Sequence, residues 1–193
     1  MLASITPLGQ RGRNASWTRM VTFYVVASAA GGAALGAVLG TAGSLLPGVG
    51  SRTSLFVGVL AAAGAVVLDA RGQPPSLRRQ VDETWLHRYR DWVCGTGFGA
   101  QLGFGAVTIV TSASLYLTWL LELLVASSAA SAVIGLVFGA ARALPILGNR
   151  HVVDAPSLRE SHQRWQHTLR LVKPVTIAAE AAAGLALLLV VTT

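Results

Sequence analysis

Charge is what this chain has least of. Asp, Glu, Lys and Arg make up 12% of its 193 residues, against about 25% in an ordinary soluble domain, and mean hydropathy is +0.58. So little polar surface excludes a water-soluble fold. Cysteine is nearly absent as well. Cys94 stands alone, which excludes an intramolecular disulfide, a C-x-x-C redox pair and a cysteine zinc cluster. The histidines, His87, His151, His162 and His167, fall in basic segments, and the last two are spaced to lie on different faces of a helix. No metal site and no cofactor are expected. No Ser-His-Asp set or paired-carboxylate site is suggested, so the chain does not read as an enzyme.

Long apolar runs take the place of charge. Residues 20–51, 53–68 and 92–121 contain no Asp, Glu, Lys or Arg. A helix needs roughly 20 apolar residues to cross a hydrocarbon core of about 30 Å. Five spans are expected, at about 19–46, 53–70, 92–125, 129–148 and 174–193, in an all-α, polytopic membrane helix bundle forming one domain over 1–193. "PGVGSR", "ASSAAS" and "LPILGNR" end the first, third and fourth spans, and Pro174 opens the fifth. The third run is too long for an untilted crossing, since as one helix it would extend about 51 Å. Either its ends leave the bilayer or it breaks near its glycines; two full spans within it would each be too short.

Thirteen of the fifteen Lys and Arg residues cluster in the N-terminal arm, in 71–91 and in 149–173. The positive-inside rule places these segments in the cytoplasm, and five alternating crossings of the inner (plasma) membrane satisfy it, with the N-terminus inside and the C-terminus outside. Two of the basic segments share a phrase. "PPSLRRQVDETWLHRYRDW" begins at Pro74 and "APSLRESHQRWQHTLRLVK" at Ala155, and Trp-x-His follows Pro-Ser-Leu-Arg in both. "GAALG" at 32–36 matches "GAQLG" at 99–103. A two-helix unit repeated in parallel, with a fifth helix added, accounts for this pattern. Each phrase reads as a cytoplasmic amphipathic helix, with Ser157 and Glu160 in a capping-box pattern in the second. Trp85, Tyr89, Trp92 and Trp165 are expected at the membrane interface beside anionic lipid headgroups.

Glycines repeat every four residues at Gly32, Gly36 and Gly40 (continuing to Ser44), at Gly95, Gly99 and Gly103, and at Gly135 and Gly139. Small residues at this spacing let helix backbones approach closely. Ionisable residues inside the spans are the functional lead, because each needs a partner in lipid. Counted from the cytoplasmic helix ends, Arg142 and Glu180 lie about 9 Å deep and Gln101 about 13 Å. An Arg142–Glu180 pair with Gln101 in reach is the expected solute or ion-pair site. Glu122, near the outer end of its span, needs little explanation.

"YRDWVCGTGFGAQLGFGAVTIVTSASLYL" and "VIGLVFGAARALP" resemble small actinobacterial-type membrane proteins grouped with the sulfite-exporter and thiol-reductant-conductor families. The resemblance covers about residues 75–147 and implies a multi-helix, transporter-like inner-membrane fold. Thiol conductors in those families carry a cysteine pair that this chain lacks, and their members have six or more spans in inverted repeats. Transport of a small solute or ion is therefore the expected function, in a homo-oligomer or together with other membrane subunits. The alternative is a non-catalytic membrane subunit that anchors or assembles a larger complex. No nucleic-acid partner is expected.

Overall fold

The computed structural model describes residues 5–12, 15–72, 88–105 and 110–192, and every regular element among them is helical. A short α1 (Pro7–Arg11) precedes α2 (Trp17–Leu45) and α3 (Arg52–Arg71). Then come α4 (Asp91–Phe104), α5 (Ser114–Leu124) and α6 (Ser128–Ala143). A 3-10 helix (Leu144–His151) joins α6 to α7 (Ala155–Thr192). Four stretches are long and apolar enough to cross a membrane: α2, α3, α6 with its 3-10 extension, and Arg170–Thr192 of α7.

The long third run is not one helix. It divides into α4, with 14 residues, and α5, with 11, about 21 and 17 Å long at 1.5 Å per residue. Neither covers a 30 Å core alone. Both lie along α2 and run in its direction: Gly95, Gly99 and Gly103 meet Met20, Tyr24 and Ser28 in turn, and Leu123 meets Gly43 further along. The two half-helices thus follow one another along α2, with the interruption midway along it.

Glycine explains why α2 is the centre. A methyl group added at Gly32, Gly36, Gly40, Gly95, Gly99, Gly103, Gly135 or Gly139 would collide with the backbone of the facing helix. One seam of α2 receives α4; the other receives α6 in the opposite direction, with Gly32 on Gly135, Gly36 on Ser131 and Gly40 on Ser127. The line of small residues continues at Gly43, which meets Leu123 of α5 and Ala126, whereas Ser44 is exposed. A 3.6-residue turn carries a strict four-residue repeat off the contact line, so the fourth small residue comes one position early. At the end where α2 and α4 begin, Asp91 ties them together. Its Oδ2 accepts from Arg19 Nε at 2.9 Å and from the Ser16 N–H at 3.1 Å, and its Oδ1 accepts from the Trp92 N–H. Met20, Val21, Cys94, Phe98, Ala143 and Ile146 pack into a buried cluster beside this tie. The Cys94 thiol donates to Tyr89 O.

α3 and α7 form a second pair, antiparallel to each other, with Gly184 on Ala62 and Gly58 on Leu187. Ala62 and Ala65 of α3 also pack on Ala113 and Leu117 at the start of α5. The expected amphipathic helix at 155 is not a separate element. It is the first part of α7, which continues through Pro174 into the last apolar stretch. Asp154, not Ser157, caps it: Asp154 Oδ1 accepts from the Ser157 N–H at 2.8 Å, and Ser157 lies in the first turn. Trp165, expected at the membrane interface, is bonded within the chain. Its Nε1 donates to Oδ1 of the buried Asn149 at 3.0 Å, and its ring covers Gly148, fastening α7 to the 3-10 helix. Tyr89 and Trp92 are 46% and 43% exposed. Trp85 and most of the first Pro-Ser-Leu-Arg phrase lie outside the described residues.

Candidate functional site

A break in a buried helix creates two ends whose backbone groups need partners. The last carbonyls of the first half and the first N–H groups of the second have no intrahelical mates. The peptide dipoles leave partial negative charge at the first end and partial positive charge at the second. Water would satisfy these groups in a soluble protein. Within an apolar bundle, side chains must do it.

Two charged side chains do so here. At the end of α4, Gly105 takes φ +71° and returns its N–H to Gln101 O at 3.1 Å. Arg142 reaches over from α6, donates from Nη1 to Leu102 O at 2.7 Å, and lays its guanidinium 5.6 Å from the Phe138 ring centre. A cation at a helix C-terminus complements the dipole, and Phe138 supplies a π face. At the start of α5, Ala113 offers no capping side chain. Asp69, 6% exposed, comes from α3 and accepts the Ala113 N–H on Oδ1 at 2.7 Å. An anion at a helix N-terminus is the complementary arrangement. Ser112 Oγ accepts from the Ser114 N–H and is bonded to Ser114 Oγ, completing the α5 end.

Gly105 is required at this site for two reasons. Its φ lies in the left-handed region, and a Cβ there would stand 2.6 Å from Leu115 Cδ1 and 3.0 Å from Arg142 Nη1. The backbone turns where glycine permits it, and the space left by the missing side chain admits the guanidinium.

The expected trio is only partly assembled. Arg142 does lie beside the α4 turn that carries Gln101, since Leu102 is the next residue. The Gln101 Oε1 is buried without a hydrogen-bond partner. Glu180 does not pair with Arg142. It projects from α7 toward Asp69 of α3, close enough for the two carboxyl groups to interact directly, and no other hydrogen-bond partner reaches its buried oxygens. Equal depth along two helices brings side chains together only when they also face each other, and residue counting from helix ends does not give the facing. Asp69, which sequence reasoning missed, sits just past the charge-free stretch 53–68. A carboxylate at that position, inside the expected span 53–70, was the available signal. Glu122 needs more explanation than its position near a helix end suggested. It is 2% exposed, with Oε2 unpartnered, against the glycine seam at Gly135. Among the described residues, no three His, Cys, Asp or Glu side chains are grouped to hold a metal ion.

No family model matches the chain, and no solved structure does. Curated proteins do. The chain is 30% identical over 154 residues to the methylamine utilization protein MauF of Paracoccus versutus, covering 77% of this chain and 56% of that one. It is 30% identical over 171 residues to MauF of Methylorubrum extorquens, covering 86% and 60%. MauF of Paracoccus denitrificans gives 30% over 155 residues, covering 76% and 56%. The chain thus spans somewhat more than half the length of these relatives. They correct two expectations. The relatives are methylamine utilization proteins, not sulfite exporters or thiol-reductant conductors, so the family resemblance read from residues 75–147 does not hold. The expectation of solute or ion transport falls with it. Short Gly- and Ala-rich matches reflect the composition common to packed membrane helices, whereas the MauF similarity extends over three quarters of the chain or more.

Proposed function

We propose that this chain is an integral membrane component of methylamine utilization, acting within the inner (plasma) membrane and not itself an enzyme. It crosses five times, with α4 and α5 counting as one interrupted crossing and the N-terminus in the cytoplasm, where its basic segments meet anionic headgroups. The observation that carries this reading is the similarity to three MauF proteins over at least 76% of the chain. The charged break supports it on physical grounds. Burying Arg142 and Asp69 costs free energy that a purely structural crossing avoids by remaining helical, so the break is the part of the fold where a role beyond packing belongs.

The test is genetic. Disrupting the gene in its own host should abolish or strongly slow growth with methylamine as the sole nitrogen source and leave growth on ammonium unchanged. A copy in trans should restore it; Asp69→Asn or Arg142→Ala copies that reach normal membrane levels should not. Normal growth of the disruptant on methylamine would sink the reading. Alkaline phosphatase fusions after residues 50, 126 and 193 should be active, and fusions after 72 and 152 inactive, if the five-crossing topology is right.

A further inference from the structure

Between the 3-10 helix and the first part of α7 lies a cavity of about 590 Å3, inside the range of about 300–1,000 Å3 usual for small-molecule sites. Gly148, Val152 and the Trp165 indole line it, together with His151, Glu160 and Arg164. Trp165 and Ser161 both donate to Asn149 Oδ1, at 3.0 and 3.5 Å, so one residue holds the two walls together. Glu160 and Arg164 stand one helical turn apart on α7. Their facing atoms, Oε2 and Nη2, are 3.7 Å apart, beyond the roughly 2.7–2.9 Å of a charge-assisted hydrogen bond. The cavity thus presents a negative and a positive group side by side over an apolar wall. Arg150 adds a second cation at its edge, donating from Nε to His151 Nε2 at 2.8 Å.

The position of the cavity says where its ligand comes from. Ile146, in the same 3-10 helix, packs with Met20 and Cys94, so the cavity lies at the end of the bundle where Asp91 ties α2 to α4. Side chains three apart eclipse on a 3-10 helix, which sets Leu144, Leu147 and Arg150 in one exposed ridge. Two leucines followed by a cation is the order of a segment passing from hydrocarbon to the headgroup layer. We propose that the cavity binds the headgroup of phosphatidylethanolamine, its phosphate on Arg164 and its ammonium on Glu160, with the acyl chains over Leu144 and Leu147. A zwitterionic headgroup matches the Glu–Arg pair in both signs. Phosphatidylglycerol leaves Glu160 without a cation. Phosphatidylcholine carries the right charges, but its quaternary ammonium has no N–H to donate, whereas the ethanolamine ammonium has three. The leaflet, cytoplasmic, rests on the topology proposed above; the headgroup preference does not.

The experiment is native mass spectrometry of the full chain in mild detergent. It is titrated with equimolar phosphatidylethanolamine, phosphatidylcholine and phosphatidylglycerol of identical acyl chains. Phosphatidylethanolamine should bind about three- to five-fold more tightly than either competitor, the size expected of one exposed charge contact. E160Q should bring phosphatidylethanolamine and phosphatidylcholine within about twofold of each other, and R164Q should weaken both. The two side chains are 67% and 79% exposed, so these variants should fold normally. R159Q, which removes an exposed cation of α7 that does not line the cavity, should leave the preference unchanged. Equal binding of the three lipids, a preference for phosphatidylglycerol, or an unaltered preference in E160Q would overturn the site. The topology is tested separately. An active fusion after residue 152, with phosphatidylethanolamine still preferred, leaves the site standing and moves it to the other leaflet; an inactive fusion with no preference leaves the topology standing and the site fallen.

Discussion

The two halves of the bundle are held by different means. Around α2, backbone lies against backbone: Gly32, Gly36 and Gly40 on α6, and Gly95, Gly99 and Gly103 against α2 from α4. Between α3 and α7 the contacts are made by side chains. A Cβ added at Gly58 would stand 3.1 Å from Leu187 Cδ1, one at Gly184 would stand 3.1 Å from Ala62 Cβ, and one at Gly64 would have nothing within 4 Å. Backbone contact cannot yield, whereas a leucine end can swing aside. The first half is therefore a fixed frame and the second an adjustable cover. The charged groups lie where the two meet: Asp69 and Glu180 come from the cover, Arg142 and both ends of the broken helix from the frame. A site built this way keeps its helix ends fixed while the carboxylates that face them retain some freedom.

Substitutions at glycine test this contrast most strongly. Gly36→Leu or Gly103→Leu should cost more than about 3 kcal/mol, since overpacking against backbone exceeds the usual penalty of a side-chain clash. The protein should then fail to accumulate in the membrane or lose its cooperative unfolding transition. Gly64→Leu should change stability by no more than about 0.5 kcal/mol, and Gly64→Ala should be neutral or slightly stabilising. Equal losses at Gly36 and Gly64 would remove the distinction between frame and cover.

The junction comes next. Gly105→Ala should cost about 1–3 kcal/mol, because alanine must adopt a left-handed backbone and displace Leu115 or Arg142. Arg142→Ala should cost about 1.5–3 kcal/mol by leaving the α4 carbonyls without their charged donor. Arg142→Lys should recover part of that loss, since the cation remains but the flat contact with Phe138 does not. Asp69→Ala should cost a similar amount through the orphaned Ala113 N–H. Thermal unfolding in detergent measures all four. If Arg142→Ala and Asp69→Ala unfold like the unaltered chain, the two ends of the break do not depend on these charges.

Much of this architecture is written in local sequence. Apolar length located the four membrane-length helices, and the excess length of 92–125 left room for an interruption near its glycines, which Gly105 provides. Four-residue glycine spacing located both seams of α2, because that periodicity is a property of one helix and needs no knowledge of its partner. The charged site was harder to read for the opposite reason. Arg142 and Gln101 were matched by depth, and Arg142 does grip the turn next to Gln101. Glu180, matched by the same depth, faces α3 instead. Depth follows from counting residues, but facing depends on how helices rotate against each other, which only packing decides. Asp69 escaped notice because a carboxylate near the end of an apolar run reads as a solvated terminus. Its role as a cap is supplied by Ala113, 44 residues away.

The smallest expected effect lies outside the membrane, at the start of α7. Asp154 is fully exposed, and hydrogen bonds from the Ser157 side chain and backbone hold its carboxyl below the usual range. A carboxyl with a lowered folded value contributes stability that is fully present above its unfolded value, about 3.9, and lost as pH falls through the folded one. Between pH 7 and pH 5 the cap should therefore be intact. Below about pH 4 amide exchange at Ser157 and Leu158 should quicken, while the Trp165–Asn149 bond two turns further on keeps the rest of the helix docked. Asp154→Asn should keep the cap, since asparagine caps as well as aspartate, and should remove its dependence on pH. If the first turn of α7 frays equally in both proteins at low pH, the cap is not what holds it.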